Sequence, residues 1–207
     1  MGLLGFLNGK KRIKGSIGYF GLEDWWLSAF SDEERRYIQK IFQPLGASGD
    51  SLTSGDISYT SQTAVCFLHA LAGWFSKEER RPSAYKILEK AEKLSTAETR
   101  ILDVHFLYGE KLKIYYKDRG KTGYLQKAIE ACKQQIKLAP KAASAFRAEY
   151  KHSPLPSHKG YEQLAIIFEK QKSFRAAIEL CAKADKQGWA GDWQKRIERC
   201  KKKLEKA

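Results

Sequence analysis

The sequence of 207 residues predicts an all-α protein in which helix–turn–helix units stack in series. Three observations carry this. Apolar residues recur three or four apart, the helical period, from residue 62 onward. Small residues at Ala84, Ala128 and Ala177 hold matching places in three such units, at spacings of 44 and 49 residues. A last helix over residues 192–206 has one apolar stripe, Trp193, Ile197, Cys200 and Leu204, and an otherwise basic surface, the pattern of a helix that closes a stack.

The elements follow in order. Residues 1–22 form a glycine-rich basic arm. They hold six of the 16 glycines, an apolar patch at Leu3, Leu4, Phe6 and Leu7, and then Lys10, Lys11, Arg12 and Lys14. A secretory signal carries its charges before the apolar run, and Phe6 stands where a myristoylation signal has Ser or Thr. The expectation is a cytoplasmic protein whose arm either touches a membrane or an anionic partner or, the favoured reading, folds back on the domain as a strand-like or loose lead-in. Residues 23–60 give two helices and a linker. The first spans Asp24 to Phe30 and includes Trp25 and Trp26. The second starts at Ser31, with Glu34 completing a capping box; Tyr37, Ile38, Ile41, Phe42 and Leu45 give it one apolar face, and Pro44 and Gly46 end it. Ala47 to Thr60, rich in Ser, Gly, Asp and Thr, reads as the linker.

Residues 61–207 form the repeat domain. In its clearest unit Tyr161, Leu164, Ala165 and Phe168 line one face of a first helix. Lys170 to Ser173 turn, and Phe174, Ala177, Cys181 and Ala184 line the second helix, which stops at Gly188. An earlier unit has Leu68, Leu71, Ala72 and Phe75, then Ala84, Leu88 and Ala91. Arg81 opens its second helix where the pattern has an aromatic, and Pro82 sits in the first turn, where proline is tolerated. The middle unit places Tyr108, Gly109 and Leu112 on a first helix lengthened by about two turns; the other register, Leu112, Tyr115 and Tyr116, needs no insertion but puts Tyr where a small residue belongs. Its second helix carries Ala128, Cys132 and Ile136 and closes at Pro140. The extra spacing is absorbed by Lys111 to Lys117 and by Lys141 to Ser157, a stretch with a separate short helix near Ala142 to Tyr150 and then "SPLPS".

This series of bulky and small residues resembles the tetratricopeptide repeat, irregularly spaced, over roughly residues 62–190. Cys181 stands where that family has an aromatic, and Trp189 where it has its closing proline. The resemblance implies a right-handed superhelix whose first helices line a groove for a peptide or helix of a protein partner. Transferred by register, the groove residues are His69, Gly73 and Ser76, then Phe106, Glu110 and Lys113, then Glu162, Ile166, Glu169 and Lys170. One branch of the family clamps a partner's terminal carboxylate with groove Asn and Lys. The single asparagine here, Asn8, lies outside the repeats and argues against that clamp.

Charge offers a second reading. The formal charge is +14, and residues 1–60 are neutral, with seven basic and seven acidic side chains. Residues 101–150 hold ten basic against five acidic side chains and residues 151–207 fourteen against seven, so twelve of the fourteen net charges lie there. A basic surface at Lys195, Arg196, Arg199, Lys201, Lys202 and Lys203 suits a polyanion, and nucleic acid is the alternative partner. Tyr115, Tyr116, Tyr124 and Trp193, interleaved with Lys, would serve as stacking residues, though all four also fit the core.

Site chemistry is sparse. No HExxH, CxxC, dinucleotide-binding or phosphate-binding loop motif occurs, so no metal, no cofactor and no catalytic residue is expected, and the chain is read as a non-enzyme. Cys132 and Cys181 read as small core fillers. His69 and His105 fall on the first helices of neighbouring units, where packing is favoured over a metal-binding or acid–base pair. No run of roughly 18 apolar residues predicts a membrane span. Oligomeric state leaves no mark in the sequence.

Overall fold

A computed structural model describes residues 13–46 and 50–206. They are all-α, with ten helices and one two-stranded sheet among the described residues, and divide into two units between Thr63 and Ala64.

The first unit holds α1 (Gly15–Tyr19), α2 (Glu23–Ala29) and α3 (Asp32–Ile41). The first amides of a helix need acceptors from outside it. In α1 they come from the segment expected to be a linker. Lys14, Gly15, Ser16 and Ile17 donate their backbone N–H groups to the carbonyls of Thr53, Gly55, Ser51 and Leu52 at 2.8–3.1 Å. That segment is folded in its own right: Asp50 Oδ1 accepts from the amides of Leu52 and Thr53, and Leu52 is buried. The lead-in therefore folds back as a helix, not as a strand or loose chain, and 50–55 is a docked loop. The arm's residues 1–12 lie outside the described residues. Gly15 has φ +58°, and a Cβ there would lie 2.7 Å from Leu52 C and Ser51 O. Ser31 and Glu34 form the reciprocal capping box of α3. Trp26 is buried and Trp25 half-buried, each against Phe30, with ring centroids 5.3 and 5.4 Å away.

The second unit holds α4 (Ala64–Gly73), a 3-10 turn (Glu78–Arg80), α5 (Arg81–Leu94), α6 (Ile101–Lys117), α7 (Tyr124–Glu149), β1 (Leu155–Ser157), α8 (Lys159–Lys170), α9 (Phe174–Gln187), β2 (Trp189–Ala190) and α10 (Trp193–Leu204). Helices pair as α4 with α5, α6 with α7, and α8 with α9, and α10 packs on α9. The first helices also meet: α4 packs on α6, and α6 on α8. The expected small residues Ala84, Ala128 and Ala177 are fully buried, as are Leu68, Leu71, Ala72, Ala165, Cys132 and Cys181.

One expectation is corrected here, and two further features emerge. Pro140 does not close its helix. It sits on the exposed face of a continuous α7, whose apolar stripe runs on through Ala139, Ala142, Ala143 and Phe146. Packing of that stripe outweighs the local cost of proline. The "SPLPS" segment forms a strand: β1 pairs in parallel with β2, in register Leu155 to Trp189 and Ser157 to Ala190. Arg81, which stands where the pattern has an aromatic, has a role the sequence does not reveal. It is 7% exposed and grips Asp118, 3% exposed, through Nε at 2.8 Å and Nη2 at 2.7 Å. Tyr85 OH and Lys121 Nζ bond the same carboxylate. Burial alone would raise the Asp118 pKa, but the hydrogen bonds from Arg81, Tyr85 and Lys121 prevail and hold it down to about 2. This bidentate pair ties the start of α5 to the turn between α6 and α7.

Candidate functional site

The first helices of the second unit and the strand β1 enclose a groove of about 670 Å³. α4 contributes His69. α6 contributes His105, Phe106, Gly109, Glu110, Leu112, Lys113 and Tyr116, and α7 contributes Gln135. The far wall is Pro156 and Ser157 of β1 with Lys159, Glu162, Gln163 and Ile166 of α8.

Gln135 builds the floor. Its Oε1 accepts from the Gly160 amide at 2.6 Å, which fixes the amide's orientation, and its Nε2 donates to the His105 carbonyl at 2.9 Å. One side chain thus joins α6, α7 and the start of α8. Two glycines admit it: a Cβ at Gly109 would lie 2.9 Å from Nε2, and one at Gly160 2.9 Å from Oε1.

Beneath the floor lies an aromatic cluster. The His105 ring stacks on Trp189, with centroids 5.8 Å apart, and meets His158 edge-on at 5.0 Å. Both imidazoles are buried, at 3% and 0% exposure. Burial lowers the His105 pKa to about 4, and burial together with neighbouring His105 lowers that of His158 to about 3. Both rings are therefore neutral at pH 7. His158 Nδ1 accepts the Tyr161 amide at 3.2 Å and caps α8, so its proton sits on Nε2. Burial also lowers the His69 pKa against a weaker opposing pull from Asp103, and His69 is neutral too.

Six predicted groove residues come together: His69, Phe106, Glu110, Lys113, Glu162 and Ile166. Gly73 lies directly behind Glu110, where a Cβ would sit 3.4 Å from Oε1. Lys170 reaches the edge, with Nζ 3.4 Å from the Tyr116 hydroxyl. Two residues fall elsewhere. Ser76 belongs to the turn after α4, where its carbonyl accepts from Arg81 and Lys117. Glu169 faces α10, where Arg196 and Arg199 hydrogen-bond it and Lys203 Nζ stands 3.7 Å away. Glu169 thereby takes up half of the predicted basic surface as a structural contact. Lys195, Lys201 and Lys202 are exposed on α10, and Arg199 and Lys203, although paired with Glu169, stay about half exposed.

For His105 the sequence favours packing over a metal-binding or acid–base pair with His69, and it marks no role for Gln135, Gln163 or the β1 wall. Gln135 had a signal: it falls on the apolar stripe of α7 between Cys132 and Ala139. A polar residue on a buried stripe needs partners, which marks a junction.

Four buried polar atoms without a hydrogen-bond partner belong to residues lining this one groove: His69 Nε2, His105 Nδ1, Glu110 Oε1 and Gln163 Nε2. Such atoms are uncommon in folded proteins, and all four are closed off from solvent in this arrangement. Nucleophilic chemistry finds little support. Burial pushes the Cys132 thiol up to about 12 and the Cys181 thiol up to about 11. Among the described residues no group of three or more His, Cys, Asp or Glu is placed to hold a metal ion.

No family model, curated protein or solved structure matches the chain.

Proposed function

We propose that residues 64–207 are a tetratricopeptide-like array that binds a peptide segment of a protein partner in this groove, without catalysis. The observation that carries the reading is the groove itself. It is lined by three successive first helices, has aromatic and aliphatic walls, and carries unpartnered polar atoms between them. Its volume suits several ligand side chains, and mixed apolar and polar lining is typical of binding sites. The cytoplasm is the proposed compartment. Free thiols at Cys66, Cys132, Cys181 and Cys200 fit a reducing environment. No helix among the described residues is long and apolar enough to cross a membrane.

The test is selection of peptides from a random twelve-residue display library on the full chain, followed by calorimetry. Selected peptides are expected to bind the wild type and to lose at least tenfold in affinity to Phe106→Asp. Peptides that bind that variant equally, or a selection that enriches nothing, would sink the proposal.

A shallow hollow on α10 favours a second reading. Lys195, Arg199, Lys202, Lys203 and Lys206 line it with Glu198. As a nucleic-acid surface it would bind labelled single-stranded oligonucleotides with a steep salt dependence that survives to physiological ionic strength.

A further inference from the structure

The charges of the groove are sorted by depth. The Glu110 side chain is 16% exposed, and its Oε2 accepts from Lys113 Nζ at 2.9 Å. Its Oε1 is buried without a partner. The two groove lysines stand at the rim, with Lys113 51% and Lys159 63% exposed, so water screens their charge. The imidazoles of His69 and His105 are neutral and add none. Glu162, 45% exposed, stands at the same rim 3.5 Å from Lys159, so the one charged group of the lining that lies deep is the Glu110 carboxylate, although the chain as a whole is strongly basic.

An ionised carboxylate oxygen out of water needs a donor, and a cationic donor makes the strongest bond. Aromatic faces stand beside it. Phe106 is one helical turn before Glu110 on the same face of α6 and is 46% exposed. Tyr116, further along that wall, already carries cations on its ring: Arg119 at 4.7 Å and Lys170 at 6.0 Å.

We propose that the groove selects a peptide carrying an arginine, whose guanidinium bonds the Glu110 carboxylate, turning Oε1 away from Gly73 and toward the ligand, and lies on the Phe106 ring. This rests on the peptide-binding reading above and names its specificity. Arginine fits better than lysine because its guanidinium is weakly hydrated and stacks on aromatic rings, whereas an ammonium holds its water among walls such as Leu112 and Ile166. The net charge of the chain opposes a basic ligand at long range, so the preference comes from contact and not from steering.

The test uses nine-residue peptide pools carrying a neutral dye, identical and degenerate except for a fixed centre of arginine, citrulline, leucine or glutamate. Each is titrated by fluorescence anisotropy with the full chain. The arginine pool is expected to bind at least tenfold tighter than the citrulline pool, which matches it in shape but lacks the charge. Glu110→Gln, with folding checked by circular dichroism, is expected to erase that difference. Lys113→Met, which frees Oε2, is expected to tighten the arginine pool about threefold. Equal binding of arginine and citrulline, a preference that survives in Glu110→Gln, or tightest binding of the glutamate pool overturns the proposal. Binding of the leucine pool that is lost in Phe106→Asp, without an arginine preference, overturns this inference alone. No binding of any pool, or binding indifferent to Phe106→Asp, overturns the peptide reading with it.

Discussion

Replacing His158 by Asn tests the buried histidine pair. His158 caps α8 through Nδ1, and its ring is fully buried between His105, Tyr161 and Trp189. Asn keeps a side-chain acceptor at the cap and removes the titration. The sign follows from burial. Folding depresses the pKa from an ordinary 6.5 to about 3, so the folded state refuses a proton that the unfolded chain accepts. No penalty exists above pH 6.5. It grows as the pH falls below 6.5 and stops growing near pH 3. Each pH unit in that window removes about 1.4 kcal/mol, so the step from pH 7 to pH 5 costs about 2 kcal/mol for His158. His105, with its folded pKa at about 4, adds a similar loss by the same arithmetic. Urea unfolding at pH 7 and pH 5, followed by tryptophan fluorescence, reads the difference. The wild type is expected to lose about 4 kcal/mol over this step and the variant about 2 kcal/mol, whatever its stability at pH 7. An equal loss in the two proteins would refute the reasoning and mean that His158 reaches water or charges within the fold.

Asp118→Ala leaves Arg81 buried without its carboxylate and is expected to cost about 3–5 kcal/mol, read by chemical denaturation. Gln135→Leu keeps most of the volume but orphans the Gly160 amide. A loss of about 2–3 kcal/mol is expected, with faster hydrogen exchange at the start of α8. Gly15→Ala forces a side chain into a left-handed backbone position against the carbonyl of Ser51. Thermal unfolding of the N-terminal unit is expected to shift down by an amount equivalent to about 2 kcal/mol or more.

Helix identity was readable wherever its signal was local. The capping box at Ser31 and Glu34, the turn from Lys170 to Ser173, and the small residues at 84, 128 and 177 all act within a few residues of one another. Long-range chemistry was less visible. Arg81 looks misplaced until Asp118, 37 residues away, supplies its counter-charge. Pro140 reads as a stop because the apolar stripe that carries α7 past it gains its energy from other helices. The linker reads as polar because its contribution to α1 is made by backbone carbonyls, which carry no side-chain signature. Within the groove, register placed His69, Phe106, Glu110, Lys113, Glu162 and Ile166 on one surface. Glu169 escaped that register because α10, a helix outside the repeat pattern, competes for it.

The pairing of β1 with β2 has an architectural consequence. Leu155 sits beside Trp189, so the chain leaves the α8–α9 hairpin almost where it enters. The main chain thereby pinches off a loop of roughly thirty residues, and closing a loop of that size once costs little more than closing a shorter one. A module whose two ends touch can change length at its far turn, around Gln171 and Lys172, without displacing α7 or α10. The hairpin can therefore absorb insertions at that tip while the groove wall that α8 forms stays in place.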